Sequence, residues 1–145
     1  MAILQKLKEH FSRDSVTLDL QDIQALILRS RPEPYVGVHA MLHFDEAAGA
    51  RNLLGRLAPH IASADNWSED LDFWIGAALS FEGLKALGVP DAQLKTFPLP
   101  FQQGMAARAE QLRDFGPNAP ENWEDVFKPG NCHLALTIYA VDDDA

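Results

Sequence analysis

The stretch FPLPFQQGMAARAEQLRDFG, residues 97–116, joins a stiff entry to a helical pattern. Pro98 and Pro100 restrict the entry, because a proline ring fixes φ and removes the amide hydrogen. Apolar residues then recur at the three-to-four spacing of one helical face, namely Phe101, Met105, Ala109 and Leu112. Gly104 interrupts this pattern at a cost of about 1 kcal/mol relative to alanine. The spacing predicts a helix over residues 101–113 with those four apolar side chains buried.

Apolar residues recur at every second position, the period typical of strands, in three segments outside this stretch: residues 35–44, 71–80 and 133–140. Their more apolar sets are predicted to share one face of a sheet: Val36, Val38, Ala40, Leu42 and Phe44; Leu71, Phe73, Ile75, Ala77 and Leu79; Leu134, Leu136 and Ile138. The second face carries Tyr35, His39, Met41, His43, Trp74, His133, Thr137 and Tyr139. This second face is too apolar for an ordinary solvent face, which suggests a surface that packs on something else.

Helical patterns lie between these strands. Asp45 can cap a helix after the first strand, and Pro59 should kink or end that helix. A short helix over residues 81–87 is predicted to be capped by Ser80 and stopped by Gly88. Strands interleaved with helices predict an α+β domain whose helices cover one face of a mainly antiparallel sheet.

The chain divides into an N-terminal segment, residues 1–16, and a domain over residues 17–145. The segment is amphipathic, because its apolar residues share one helical face: Ile3, Leu4, Leu7 and Phe11. It lacks the unbroken apolar run of a secretory signal, so we expect a docked terminal helix, with a membrane-surface helix as the less favoured alternative. Residues 31–34 read Arg-Pro-Glu-Pro and are expected to form a stiff connector.

The charge balance excludes one large class of partner. The 145 residues include 12 basic and 21 acidic side chains, which gives a formal net charge of −9. A phosphate backbone would be repelled by that charge, and no basic cluster offsets it, so we expect no nucleic-acid partner. The single cysteine, Cys132, excludes an internal disulfide framework and fits a reducing compartment. We therefore expect a cytoplasmic protein that has no membrane partner.

Five histidines are the first candidates for chemistry: His10, His39, His43, His60 and His133. His39 and His43 face the same way on a strand, but four residues at about 3.3 Å each separate their backbones by roughly 13 Å. One zinc ion with ligand bonds of about 2 Å cannot readily hold both side chains. Ordinary interface histidines are the favoured interpretation, and we assign no metal site. Ligation of haem by one histidine stays open, since nothing in the sequence selects one of the five.

The remaining nucleophiles and carboxylates lack the neighbours that catalysis needs. Cys132 begins a strand with no recognisable base beside it, so a structural thiol is favoured over a nucleophile. The acidic residues are interpreted as caps, solvated loop charges or an acidic tail: Glu46, Glu69, Asp70, Asp72, Asp142, Asp143 and Asp144. The sequence contains no GxGxxG, GxxxxGK[ST] or GxSxG motif. We assign no catalytic residue.

An ordered set of motifs resembles the amino-terminal domain of the dye-decolourising (DyP-type) haem peroxidase family. In that family a GLxxLG turn precedes the pattern FPxxFxxGMxxRxxxLGD, and a tryptophan loop follows it. The residues that correspond here are Gly83, Leu84, Leu87, Gly88, Phe97, Pro98, Phe101, Gly104, Met105, Arg108, Leu112, Arg113 and Asp114, then APENW at residues 119–123. The stretch LDLQDIQALILRS, residues 18–30, resembles the family's DIQGxIL entry with Ala25 in place of the usual glycine.

This resemblance implies a ferredoxin-like domain that is incomplete at its C-terminal end, because the family continues into a further helix and strand. It implies haem as the cofactor of the parent family, and hydrogen-peroxide-dependent oxidation of organic substrates as its reaction. The family's distal GxxDG aspartate and proximal haem histidine lie downstream of the matched segment. The nearest approach here, GVPDA at residues 88–92, lacks the final glycine, so the distal role is not carried over to Asp91. We expect the chain alone to hold no haem and to be inactive.

Two functions stay open. In the first, the chain is the N-terminal part of a DyP-type haem peroxidase; in the second, it is a haem-free ferredoxin-like module that dimerises or binds a partner. The order of the motifs favours the first. The expected interface is the second sheet face, facing either a sister peroxidase domain or a second copy of the chain. Its residues are His39, Met41, Trp74 and Tyr139.

Overall fold

The structure is a computed structural model that describes residues 18–29, 35–66, 68 and 72–141. The expectations for the N-terminal segment 1–16 and for the connector 31–34 lie outside the described residues. The same holds for Glu69, Asp70, Leu71 and the acidic residues 142–144.

Three strands form one antiparallel sheet: β1 (Val36–Leu42), β2 (Phe73–Leu79) and β3 (Leu134–Ala140). β3 lies in the centre, in the order β1-β3-β2, and pairs antiparallel with both neighbours. Ala140 pairs with Val36 on one side and with Phe73 on the other, so the three strands are in register. The period-two pattern therefore predicted all three strands and their faces, with ends up to two residues too long.

Short helices connect the strands. The α-helices are α1 (Ala25–Leu28), α2 (Ala47–Leu57), α3 (Phe81–Ala86), α4 (Asp91–Leu94), α5 (Leu99–Gln103) and α6 (Ala109–Leu112). Single 3₁₀ turns lie at Leu20–Asp22, Ala58–His60, Ala106–Arg108, Gly116–Asn118, Pro120–Asn122 and Asp125–Phe127. Within the described ranges, none of the helices combines the length and the apolar character that crossing a bilayer requires. The predicted α+β fold class is confirmed.

The hydrophobic core lies where α2 and α3 meet one end of the sheet. Its buried residues are Phe44, Ala50, Leu87 and Leu134. Partly buried side chains pack against them: Leu42, Leu54, Ala77, Leu79 and Ala86. On the same sheet face but farther from this end, Val38 and Phe73 are 62% and 40% exposed. The helices therefore cover one end of the face that the sequence predicted to be apolar.

A long connection, residues 80–133, joins β2 to β3. A short hairpin would be enough to join two antiparallel neighbouring strands. The two ends of the connection meet, because the Ser80 amide donates to the His133 carbonyl over 3.0 Å. Ser80 Oγ donates to the Cys132 carbonyl over 2.8 Å and accepts the Gly83 amide hydrogen over 2.9 Å. The second of these bonds is the predicted N-cap of α3. The predicted stop is also confirmed, since Gly88 follows α3 with a φ of +75°.

The single helix predicted over residues 101–113 is wrong. Gly104 adopts a φ of +70° and ends α5, and a 3₁₀ turn and the four-residue α6 follow. Met105 and Leu112 are 63% and 40% exposed, and Phe101 is half-buried. The apolar spacing is compatible with a continuous helix, but glycine adopts a left-handed φ without steric cost and the chain turns there.

The predicted N-cap of α2 is also wrong. Glu46 is the N-cap residue, and no side chain makes a capping hydrogen bond there. Asp45 lies one residue too early, because the first turn begins with the bond from the Ala50 amide to the Glu46 carbonyl. Pro59 lies in the 3₁₀ turn that follows the end of α2 at Leu57, as its fixed φ predicted.

Residues 23–29 lie along β2 on the second face of the sheet. The Gln24 side chain brackets the backbone of Ala77: its Nε2 donates to the Ala77 carbonyl over 2.8 Å, and its Oε1 accepts the Ala77 amide hydrogen over 2.9 Å. Leu26 lies over Gly76, where its Cδ1 would be 3.0 Å from any added Cβ. This segment therefore covers part of the face that the sequence predicted to be an interface.

Replacement of Gly83 tests how closely α3 approaches β3. A Cβ at Gly83 would collide with the backbone carbonyl of His133, whereas a Cβ at Gly55 in α2 would have nothing within 4 Å. We expect Gly83→Ala to lower the free energy of unfolding by about 1–3 kcal/mol through overpacking. Gly55→Ala, its matched control, should raise it by about 0.5–1 kcal/mol, because alanine favours a helix interior. Urea unfolding at 25 °C measures both, and similar shifts for the two variants would contradict the close approach.

Candidate functional site

A groove of about 780 Å³ lies within the connection between β2 and β3. Its volume falls in the range of small-molecule sites, roughly 300–1,000 Å³. Most of its wall is apolar, formed by Phe81, Pro100, Phe101, Met105, Trp123 and Phe127. Ser80 and Cys132, where the ends of the connection meet, also line it. The groove is therefore built on the fixed end of α3 and β3 and walled by the turns between them.

Local contacts hold the walls of the groove in place. The ring of Phe101 packs edge-on against Phe81 with 5.9 Å between centroids, and lies 5.2 Å from the ring of Phe97. Trp123 Nε1 donates to the Asn118 carbonyl over 2.8 Å, within the same loop. All three contacts lie within the connection between β2 and β3, and none of their residues belongs to the main core.

The charged residues that line the groove balance each other, with Glu82 and Glu124 against Arg108 and Lys128. Arg108 Nε donates to Gln111 Oε1 over 3.2 Å. Lys128 Nζ donates to Asp125 Oδ1 over 2.7 Å, and that hydrogen bond, with the lysine charge, lowers the pKa of Asp125. The groove therefore presents an apolar surface without a net charge of its own.

The lining of the groove does not assemble a nucleophile with its base. Cys132 Sγ lies 3.8 Å from Met41 Sδ, a thioether that cannot act as a general base. Ser80 Oγ is engaged in the cap of α3 and in the bond to the Cys132 carbonyl. The structural role of Cys132 stays a prediction.

The four histidines that the structure describes do not gather at one place, although two of them stack. His39 lies on the second sheet face, with Nδ1 3.0 Å from Thr137 Oγ1. His43 and His133 stack at 4.1 Å between centroids, and His60 is exposed in a 3₁₀ turn. Among the described residues, no group of three or more potential ligands from His, Cys, Asp and Glu is close enough to hold a metal ion.

The described residues do not fit a histidine-ligated haem pocket. Haem in peroxidases is held through a proximal histidine, and a pocket for it needs that imidazole in its wall. Neither His39, His43, His60 nor His133 lines the groove. The groove thus supplies apolar surface and a guanidinium, Arg108, but no axial imidazole from the described part of the chain.

His133 is buried, and its ring has a structural role. Its Nδ1 accepts the Phe44 amide hydrogen over 2.9 Å, which requires an unprotonated nitrogen at that position. Burial lowers the pKa of His133 most, and the charge of His43 lowers it further. Glu82, a backbone hydrogen bond at Gly130 and Asp45 act in the opposite direction. The ring therefore joins the end of β1 to the start of β3 in its neutral form.

Two residues of the second sheet face, Trp74 and His133, are buried although this face was predicted to be exposed. Trp74 is 1% exposed, and its Nε1 donates to the Ser68 carbonyl over 3.1 Å, so the expected exposed patch does not include it. His39 is exposed, and Met41 and Tyr139 are half-buried. The sequence pattern placed Trp74 on the correct face but could not show that its side chain is buried there.

Known structures share this fold. Neither a protein-family model nor a curated protein matches the sequence. Among solved structures, an ancestral D-type dye decolorizing peroxidase superposes with a TM-score of 0.70 at 26% identity, over 88% of this chain and 28% of that one. The DyP-type peroxidase of Anabaena sp. gives a TM-score of 0.70 at 24% identity, over 86% and 29%. The fold is that of a DyP-type peroxidase domain.

A fungal DyP-type peroxidase from Auricularia auricula-judae gives a similar result, with a TM-score of 0.70, 23% identity, and coverage of 90% of this chain. The chain spans about 28% of the length of these DyP-type structures. The likeness therefore concerns one domain of much longer proteins.

Five residues of the DyP-type pattern lie in the wall of the groove. Those that line it are Phe101, Gly104, Met105, Arg108 and Trp123. The sequence analysis missed the cavity, because Trp123 and Phe127 lie outside any periodic pattern. Arg113 stands where the DyP-type pattern has its second glycine, and it keeps a glycine-like φ of +63°.

The neutral state of His133 predicts how stability depends on pH. The folded chain resists protonation of this ring, whereas the unfolded chain takes up a proton near the ordinary pKa of 6.5. The stabilisation is therefore complete above about pH 6.5 and decreases as the pH falls below it. Urea unfolding between about pH 5 and 8 measures this slope.

Two variants separate His133 from the other histidines. His133→Asn keeps an acceptor near the Phe44 amide but does not titrate, so we expect it to flatten the slope of stability against pH. His60→Gln, on an exposed turn, should leave the slope as in the wild type. An unchanged slope in His133→Asn would show that another group causes the dependence.

Proposed function

We propose that this chain is the N-terminal part of a DyP-type haem peroxidase, and that hydrogen-peroxide-dependent oxidation of organic substrates belongs to the complete protein. The observation that carries the proposal is the superposition on the ancestral D-type enzyme, with a TM-score of 0.70 and 26% identity over 88% of this chain. The ordered motifs from residue 18 to residue 123 support the same assignment. The single cysteine is consistent with a cytoplasmic location.

Under this proposal the catalytic groups come from polypeptide beyond residue 145. The sequence has no GxxDG motif, and Asp91, in the nearest approach to it, is an exposed residue at the start of α4. The groove has no described histidine in its wall. The chain would therefore contribute a ferredoxin-like domain, while haem and the reacting groups belong to the rest of the protein.

A second candidate is a haem-free module that binds a partner or dimerises through the second sheet face. The observation that favours it is a depression of about 290 Å³ on that face, lined by Gly76, Ala78, Ala135, Thr137 and Tyr139 together with Gln24 and α1. His39 and Met41 lie on the same face. Small residues there would allow close approach of a sister domain or a second copy.

Haem titration of the purified 145-residue chain tests the first proposal at the level of the chain. We expect no Soret band from stoichiometric haem, and no peroxide turnover above that of free haem, because an axial imidazole is missing from the groove. Single replacements of each histidine by alanine are the controls. A stoichiometric Soret band that one such replacement abolishes would contradict the proposal.

The mass of the native protein distinguishes the two candidates. A protein substantially heavier than the 16.1 kDa of this chain, with a downstream GxxDG segment in its peptide map, is expected for a peroxidase part. A native product of 16.1 kDa from a reading frame that ends at Ala145 would favour the haem-free module instead.

A further inference from the structure

Two stacked imidazole rings connect the end of β1 to the wall of the groove. The histidine pair, His43 and His133, stacks with 4.1 Å between ring centroids and 27° between ring planes. His43 Nδ1 lies 3.1 Å from the Asn131 carbonyl oxygen, and His133 makes a hydrogen bond to the backbone at Gly130. Both rings therefore contact the last residues of one turn, residues 125–131.

The 125–131 turn forms one wall of the groove. Four consecutive residues of the turn line the cavity: Phe127, Lys128, Pro129 and Gly130. Asn131 closes the turn, because its Nδ2 donates to the Asp125 carbonyl over 2.5 Å and its amide donates to the Lys128 carbonyl over 3.1 Å. A contact that holds Asn131 therefore also positions the residues that line the groove.

The two rings require opposite protonation at Nδ1. The Asn131 carbonyl can only accept, so His43 Nδ1 carries a hydrogen; the Phe44 amide can only donate, so His133 Nδ1 carries none. A proton added to His133 would place two donors 2.9 Å apart and leave the buried Phe44 amide without its acceptor. The ring must then move away from Phe44, and this movement breaks its stack with His43.

We propose that the histidine pair is a pH-sensitive switch that fixes the 125–131 turn, and with it one wall of the groove, to the end of β1 at neutral pH and releases the turn in acid. All of its groups lie within this chain, so the switch does not depend on either candidate function. The switch acts locally on the shape of the groove, whereas the pH dependence of unfolding concerns the whole fold.

The charged groups around the histidine pair set the direction of the change. Burial and the charge of His43 lower the pKa of His133, while Glu82 on α3 and Asp45 after β1 oppose this lowering. The fixed arrangement therefore favours the neutral ring and loses stability as the pH falls below the ordinary pKa of 6.5. Asp125 stays ionised over this range, because the hydrogen bond from a lysine of the turn lowers its pKa from 3.8.

Amide hydrogen exchange of the 145-residue chain, measured by NMR and divided by the intrinsic rate at each pH, tests the switch. If release lets His133 titrate at its ordinary pKa of 6.5, the released population grows about tenfold for each pH unit below that value. We therefore expect the protection of the Phe44 and Asn131 amides to fall about tenfold between about pH 7.5 and pH 5.5. The reference is the Ala64 amide, which donates to the Ile23 carbonyl and should keep its protection.

Three variants assign the effect to the histidine pair. His133→Asn keeps an acceptor for Phe44 but does not titrate, so the protection of both amides should no longer depend on pH. His43→Ala removes the contact with the Asn131 carbonyl, so Asn131 should lose its protection already at neutral pH while Phe44 keeps it. His60→Ala, on an exposed turn, is the matched control and should behave as the wild type. His43 is also exposed, so its variant tests the switch even where His133→Asn does not fold.

Three results would overturn the switch. Protection of Asn131 that stays constant with pH in the wild type would show that the turn is not released. An equal loss at Ala64 would show that the whole fold opens rather than the turn. A pH dependence that persists in His133→Asn would assign the titration to another group.

Discussion

The contact between α3 and the start of β3 is the constraint on which most of the structure depends. The helix approaches so closely that the backbone of Gly83 lies against the His133 carbonyl, where no side chain fits. Ser80 completes the joint, because its amide donates to that carbonyl and its hydroxyl bonds the neighbouring Cys132 carbonyl. These bonds hold the two ends of the connection together and close it into a loop. The turns inside that loop can therefore form a cavity without disturbing the sheet.

His133 reinforces the same joint from the other side. Its carbonyl belongs to the joint with α3, and its ring accepts the amide hydrogen of Phe44 at the end of β1. One residue thus ties two strands and a helix through groups that are buried or nearly so. Buried polar groups destabilise a fold when they lose their partners, which explains why the neutral ring matters beyond its own volume.

The sheet was the most predictable part of the fold, because large apolar side chains recur at every second residue along much of each strand. The period of two placed Leu134 and Trp74 on opposite faces correctly, and Ser80 and Gly88 marked the limits of α3 through ordinary capping chemistry. The groove was not predictable. Its walls depend on the turn at Gly104, and the apolar spacing of three to four residues around Gly104 predicted a continuous helix instead. They also depend on aromatic residues that come together only when the connection folds. The burial of Trp74 was not predictable either, because a period of two assigns a residue to a face but does not show whether that face is covered there.

The two hydrogen bonds between the Gln24 side chain and the Ala77 backbone also affect whether a further strand can pair with β2. β2 is an edge strand. The unpaired backbone amides and carbonyls of an edge strand can pair with another extended chain. The glutamine side chain carries one donor and one acceptor, so it occupies the Ala77 backbone as a neighbouring strand would, yet it cannot propagate a ladder. Edge-to-edge aggregation on β2 is thereby discouraged at Ala77.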